Sequence, residues 1–464
     1  MTRAGDPDGS SGANFGIVRG RGAAPTVRVR PGREGRHFLR VLIAPGAFKE
    51  SLTAEQAAEA MRLGVQDAAR RLAAPLLTDV CPVADGGEGF VRAMVRATGG
   101  SGRTSTVTGP TGEPVEASWG VLSRQAPERA DVAVGRTARS AIEHALDLPA
   151  GSLARSPAPV APWKTAVLEA ASACGLALVP AERRDPLDTT SFGLGELIGR
   201  ALDEGCGRVL IGLGNSGTVD GGLGAARALG VRLTAGGGGP LATSDRPHPT
   251  GRDLERLAHL AINTRDDRLD HVQITLAADV TNPLLGPRGA ARVFGPQKGA
   301  TPDAVERLER GLSNLADRCR EAGLRADPET PGAGAAGGLA FGLAAMLDAR
   351  IVPGAELVLS AVRFRERAAQ ADVVLTGEGT LDRTTADGKL VAAVARAAGE
   401  AGAMPIALVG ALGEGADEAA QRIGLQAYRA ITPDGAPREQ ALRMAAALLR
   451  AETERAMRLA LTSG

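Results

Sequence analysis

Lysine is nearly absent from this chain. Of 54 basic residues only four are lysine (Lys49, Lys164, Lys298 and Lys389); the others are arginine. Aromatic side chains make up 2% of 464 residues, too few for the stacking platforms that hold single-stranded nucleic acid. The balance of 54 basic to 53 acidic groups also lacks the bias of a polyanion binder. Cys81, Cys174, Cys206 and Cys319 show no C-x-x-C spacing. That excludes a zinc ribbon and reads as buried free thiols in a reducing, cytoplasmic setting. The five histidines form no H-E-x-x-H or i,i+4 pair, so a zinc hydrolase is disfavoured and a carboxylate is the better candidate for a general base. No apolar run reaches the ~20 residues of a membrane span; the longest uncharged stretch, Pro331 to Leu347, is mostly Gly and Ala.

Glycine, by contrast, is abundant: 62 residues, about 13% against an ordinary ~7%. Residues 1–40 hold eight arginines against Asp6, Asp8 and Glu34. With no apolar segment to make a signal peptide, residues 1–39 read as a disordered leader outside the fold.

From Val41 onward the pattern alternates short buried strands with helices, which implies a parallel sheet with crossovers. VLIAP reads as a strand, and Thr53 to Gln56 has the capping-box spacing of a helix start. LLTDVCPV, RVLIGLG, VQITLAADV, DVVLTGEG, PIALVG and AYRAI read as further strands. Thr301-Pro302 opens a helix, and a long helix begins near Arg438. Thr106 to Leu122 reads as a hairpin. Arg124 to Arg129 and Ala150 to Pro162 read as surface insertions, with Lys164 a linker lysine.

Several strands end in turns that mix glycine with carboxylates: Asp85 and Glu88, Asp220, Asp279, and Glu378 with Asp382. The carboxyl ends of strands in open α/β sheets are where ligands bind. Glycine lets backbone N–H groups approach an anion there, and carboxylates among such turns suit the Mg²⁺ that accompanies phosphates. Lys49, Lys298 and Lys389 sit in similarly tight segments, APGAFKES, FGPQKGA and TTADGKL, where a compact ammonium suits a phosphate or carboxylate better than a guanidinium fork. Together these features point to phosphoryl transfer. There is no GxxxxGK[ST] and no protein-kinase motif set, and GLGNSG is not a dinucleotide fingerprint.

The blocks APGAFKESLTAEQAAEAM, CPVADGGEGF, GLALVPAERRDPLDTTSFGLGELI, GLGNSGTVDGGLGAARALGV, DVTNPLLGPRGAARVFGPQKGAT, GAGAAGGLAFGL and DVVLTGEGTLDRTTADGK resemble, in order, those of the bacterial glycerate kinase family. The resemblance implies ATP-dependent phosphorylation of D-glycerate with Mg²⁺, the 2-hydroxyl favoured over the 3-hydroxyl. It further implies two α/β domains, one Rossmann- or flavodoxin-like and the other inserted in it, with the site in the cleft. The boundaries expected are 40–84 plus 285–464 for the first and 85–284 for the second, in a monomer or homodimer.

On this basis Lys49 and Lys298 contact phosphate or the substrate carboxylate, and Asp85 or Asp188 takes the hydroxyl proton. Arg184 clamps the substrate carboxylate. Gly212, Gly214, Ser216, Gly217, Gly221, Gly377 and Lys389 hold the nucleotide, and Asp220, Asp279 and Glu378 hold Mg²⁺. Gly46, Ala47 and Thr380 depart from the family's usual residues, and the alternative they raise is a relative that binds a hydroxy acid or nucleotide without efficient transfer.

Overall fold

A computed structural model describes residues 16–17, 38–48, 50–84, 86–87, 89–123, 164–244 and 246–462. The chain divides into two compact units, Met1–Pro82 with Arg365–Ala386 and Val394–Gly464, and Val83–Phe364 with Asp387–Ala393.

In chain order the first unit begins with β1 (Gly16–Ile17), β2 (Leu39–Ile43) and β3 (Leu76–Val80). The second contributes β4 (Ser101–Thr108), β5 (Pro114–Val121), β6 (Lys164–Glu169), β7 (Cys206–Gly212), β8 (Arg232–Ala235), β9 (Leu257–Ala261), β10 (Gln273–Ala277) and β11 (Arg350–Val352). The first unit resumes with β12 (Val373–Thr376), β13 (Thr380–Leu381), β14 (Met404–Val409), β15 (Ala411–Leu412) and β16 (Ala427–Ala430).

The first sheet has the order β1-β16-β14-β12-β2-β3. Five of its strands are parallel, and β1 is an antiparallel edge. Strands such as Val41-Leu42-Ile43 and Val373-Val374-Leu375 are buried on both faces, as a sheet covered by helices on each side requires. The helix Ala54–Leu72 starts at the expected capping box, with Thr53 and Gln56 exchanging side-chain and backbone bonds, and its Met61 and Val65 enter this core. The leader is not wholly outside the fold: Gly16 and Ile17 pair with Tyr428 and Ala427. Leu39, the last residue of the expected leader, opens β2 and is buried; residues 1–15 and 18–37 lie outside the described ones, as do the two expected insertions.

The second sheet has the order β11-β10-β7-β6-β5-β4. Four strands are parallel, and the expected hairpin supplies the antiparallel pair β4 and β5. Lys164 is no linker residue. It opens β6 and bonds the Glu204 carboxylate at 2.6 Å. This unit runs to Phe364, past the expected return at 285, because β11 joins β10. The helix Pro302–Glu321 also buries Leu308, Leu312 and Leu315 in the same core. Among the described residues no helix is long and apolar enough to cross a membrane.

Candidate active site

In the second unit the carboxyl ends of the central strands are level, with Glu169, Gly212 and Ala277 aligned across β6, β7 and β10. The turn after Ala84 lies directly on them. The Gly214 N–H donates to the Gly86 carbonyl at 3.0 Å and Leu213 N–H to the Ala277 carbonyl at 3.1 Å. A Cβ on Gly212 or Gly214 would collide with the backbone of Gly86 or Gly87. Likewise Gly337 lies against Thr218 and Val219, and Gly342 against the Gly221 carbonyl. The glycine excess in this unit therefore packs strand-end loops backbone on backbone.

That packing corrects one expectation. The N–H groups of Gly214, Gly217 and Gly221 do not face outward as an anion cradle. They donate to the carbonyls of Gly86, Cys174 and Gly337. Gly222 and Gly224 N–H groups are taken by Asp220. The exposed tip of the loop is Asn215, at φ 59°, a left-handed conformation that asparagine tolerates.

Beneath this tip lies Lys298, on the short turn Pro296–Lys298 closed by Gly299 at φ 97°. It is 3% exposed, and its ammonium donates to Ser216 Oγ at 2.9 Å and the Thr218 carbonyl at 2.7 Å. Burial lowers its pKa to about 8, while the neighbouring Cys174 and Asp220 pull it back up. The Cys174 thiol is pushed up to about 12, chiefly by burial and then by the Asp220 charge. Lys298 thus braces the loop from inside.

Asp220, expected to hold a metal, is fully buried and surrounded by donors. Its Oδ2 accepts from Ser191 N–H at 2.8 Å, Ser191 Oγ at 2.7 Å and Gly224 N–H at 3.2 Å; Oδ1 accepts from Gly222 N–H at 3.1 Å. Burial raises its pKa and these hydrogen bonds oppose the rise. Such a carboxylate is an anchor for its own loop and has no geometry to ligate an ion. Asp279 Oδ1 accepts the Ala355 N–H at 3.0 Å, at the start of the helix Gly354–Ala361. Asp188 is held bidentately by Arg252, at 2.9 and 2.6 Å, so it is a weak candidate for a base. Arg184 is exposed, and its backbone abuts Gly299 beside Lys298.

Sequence reasoning missed Thr189, Ser191 and Cys174, which grip the same loop, and Glu169, whose carboxylate accepts the Val91 N–H at 2.6 Å. Only the hydroxyl run DTTS offered a signal for the first two.

In the first unit the ends of β2 and β12 are tied together. Ala44 N–H donates to the Leu375 carbonyl at 2.7 Å, and Gly46 N–H to the Gly377 carbonyl at 2.9 Å. Gly377 has no space for a Cβ, which would strike the Leu408 carbonyl and the Phe48 ring. Glu378 Oε1 accepts from Thr385 Oγ1 at 3.0 Å. Lys389 belongs to the short stretch Asp387–Ala393 of the second unit; it immediately precedes the helix Leu390–Glu400 and is partly buried. Lys49 and Asp85 lie outside the described residues. The structure therefore gathers Gly212, Gly214, Ser216, Gly217, Gly221, Asp220 and Lys298 in the second unit, and Gly377 and Glu378 in the first; Asp188 and Asp279 serve other contacts.

Among the described residues no group of three or more His, Cys, Asp or Glu could hold a metal ion. The donors among the described residues therefore make no resident metal centre by themselves. They are compatible with Mg²⁺ that arrives on nucleotide phosphates and takes at most one or two protein carboxylates.

Two sheets with parallel strands, their carboxyl ends followed by glycine-dense loops, define an open-sheet α/β protein, a class in which ligands bind at those strand ends. The chain belongs to the glycerate kinase family, whose model matches residues 41–461. It is thus a kinase, a phosphotransferase with an alcohol acceptor, and kinases draw on ATP. It is 39% identical over 409 residues to the glycerate kinase of Halalkalibacterium halodurans, covering 88% of this chain and 95% of the relative. It is 39% identical over 365 residues to the glycerate 2-kinase of Escherichia coli K12, covering 78% and 82%. A crystal structure from Salmonella typhimurium LT2 named as a glycerate kinase 2 superimposes with TM-score 0.68 at 36% identity, covering 92% of this chain and 99% of that one.

Proposed function

We propose that this chain transfers the γ-phosphoryl group of ATP to the 2-hydroxyl of D-glycerate, giving 2-phosphoglycerate. The observation that carries the reading is family membership across nearly the whole chain, joined to a buried lysine braced under a strand-end loop. The name of the Escherichia coli relative favours the 2-position.

Phosphoryl transfer is catalysed mainly by positioning and by neutralising charge. In this reading the Asn215–Ser216 tip meets an anionic group of the substrates, and Lys298 contributes positive potential from below. Arg184 clamps the glycerate carboxylate, a geometry for which a guanidinium fork is matched. Because Arg252 occupies Asp188, Asp85 is the better candidate to take the hydroxyl proton. Lys49, Lys389, Gly377 and Glu378 are assigned to the nucleotide side. Mg²⁺, when bound to the phosphates, supplies charge neutralisation.

The test is ADP release from Mg-ATP with and without D-glycerate, alongside a panel of other hydroxy acids and polyols. Release that depends on D-glycerate supports the reading; release that prefers another acceptor, or none at all, overturns it.

A further inference from the structure

The segment Asp188–Ser191 follows a turn that no assigned role uses, yet two of its hydroxyls reach the loop above Lys298. Thr189 Oγ1 donates to the Gly217 carbonyl at 3.1 Å. Ser191 donates to Asp220 through both N–H and Oγ, and its Oγ accepts the Ala225 N–H at 3.1 Å. Thr189, Ser191 and Asp220 are all fully or nearly fully buried, so water does not compete for these bonds. The same stretch of loop is held from its other side by Lys298, at Ser216 and Thr218, and by the Cys174 carbonyl, at Gly217 N–H.

Both backbone polar groups of Gly217 are thus held, its N–H by the Cys174 carbonyl and its carbonyl by the Thr189 hydroxyl. We propose that Thr189 and Ser191 are positioning residues that fix the Ser216–Asp220 loop over Lys298, and with it the register of the Asn215–Ser216 tip toward substrate. This rests on the glycerate kinase reading for its effect on turnover, but the clamp itself does not. Neither hydroxyl touches the reacting atoms. Each acts through a buried partner that a missing bond would leave unsatisfied.

The experiment uses the full-length chain with Thr189→Val, Thr189→Ser and Ser191→Ala. Two readouts are taken: kcat and KM for D-glycerate and ATP, and the rate of amine acetylation at Lys298 mapped by mass spectrometry. With only four lysines in the chain, Lys164 serves as the internal reference. Losing a buried bond to the loop is expected to lower kcat about tenfold or more, with KM values moving less than about threefold. Thr189→Ser, which keeps the hydroxyl, should restore kcat. Lys298 acetylation should accelerate several-fold in Thr189→Val and Ser191→Ala and stay slow in Thr189→Ser. Unchanged acetylation in both variants overturns the clamp, whatever the turnover. Wild-type kcat in both variants, or failure of Thr189→Ser to rescue, overturns the positioning role. Should the wild-type chain fail to phosphorylate glycerate, the proposed function falls, and acetylation still decides the clamp.

Discussion

Replacing Lys298 by methionine tests how the buried ammonium is accommodated. Its ordinary pKa of 10.5 falls to about 8 in the fold because burial penalises the charged form. A lowered amine pKa means that the folded state prefers the neutral form. The stability this group contributes is fully present above pH 10.5 and is lost as pH falls through 8. The interval between 10.5 and about 8, at about 1.4 kcal/mol per pH unit, is worth about 3 kcal/mol. The comparison with the variant is essential because other groups act in the same window: the Cys174 and Cys319 thiols, held near 12 in the fold against an ordinary 9, lower stability as pH rises above 9 in both proteins. Urea unfolding followed by fluorescence of buried Trp119, which lies in the second unit, provides the assay. Between pH 7 and 10.5 the wild-type chain should gain about 3 kcal/mol relative to Lys298→Met. Parallel pH curves for the two proteins would refute the assignment of a buried, charged lysine at neutral pH.

Further outcomes follow from the same geometry. If catalysis uses the Lys298 charge, kcat/KM should fall above pH 8, where the ammonium titrates; a flat profile to pH 9.5 would remove its charge from the mechanism. Asp188→Asn should retain kcat within about tenfold, since Arg252 already occupies the carboxylate, whereas loss of a true general base costs about 10²–10⁴. Gly377→Ala should destabilise by about 3 kcal/mol or more, read as a lowered Tm, because its Cβ would strike the Leu408 backbone carbonyl, with the Phe48 ring close behind. MgCl₂ alone should leave Tm unchanged and Mg-ATP should raise it, since no cluster of three metal-binding side chains occurs among the described residues; a Tm rise with Mg²⁺ alone would indicate a resident site.

Much of the architecture was legible because its signals are local. The capping box at Thr53, the proline after Thr301 and the uninterrupted apolar strands each act within a few residues. β6 was not legible, since KTAVLE opens on a charge and follows a proline-rich stretch. The extent of the second unit was hidden for a different reason: β11 has three residues and joins the sheet only through a distant partner, β10. At the site, composition drew attention to Lys298, Asp220 and the glycine loops, but not to the contacts they make inside the fold. Asp220 looked like a metal ligand because a carboxylate beside glycines has that chemistry. Its donors Gly222 and Gly224 are local, but Ser191 is brought in by tertiary packing from 29 positions away. The glycines looked like an anion cradle, and the crowding that consumes their N–H groups comes from loops far along the chain, such as Gly337 on Gly221.

Incubation of the full chain with Mg-ATP and D-glycerate, followed by phosphorus NMR of the products, bears most directly on whether this chain phosphorylates a three-carbon hydroxy acid. A stoichiometric resonance of 2-phosphoglycerate growing with ADP is the predicted result; 3-phosphoglycerate would contradict the position of transfer, and inorganic phosphate or unreacted ATP would contradict the transfer itself.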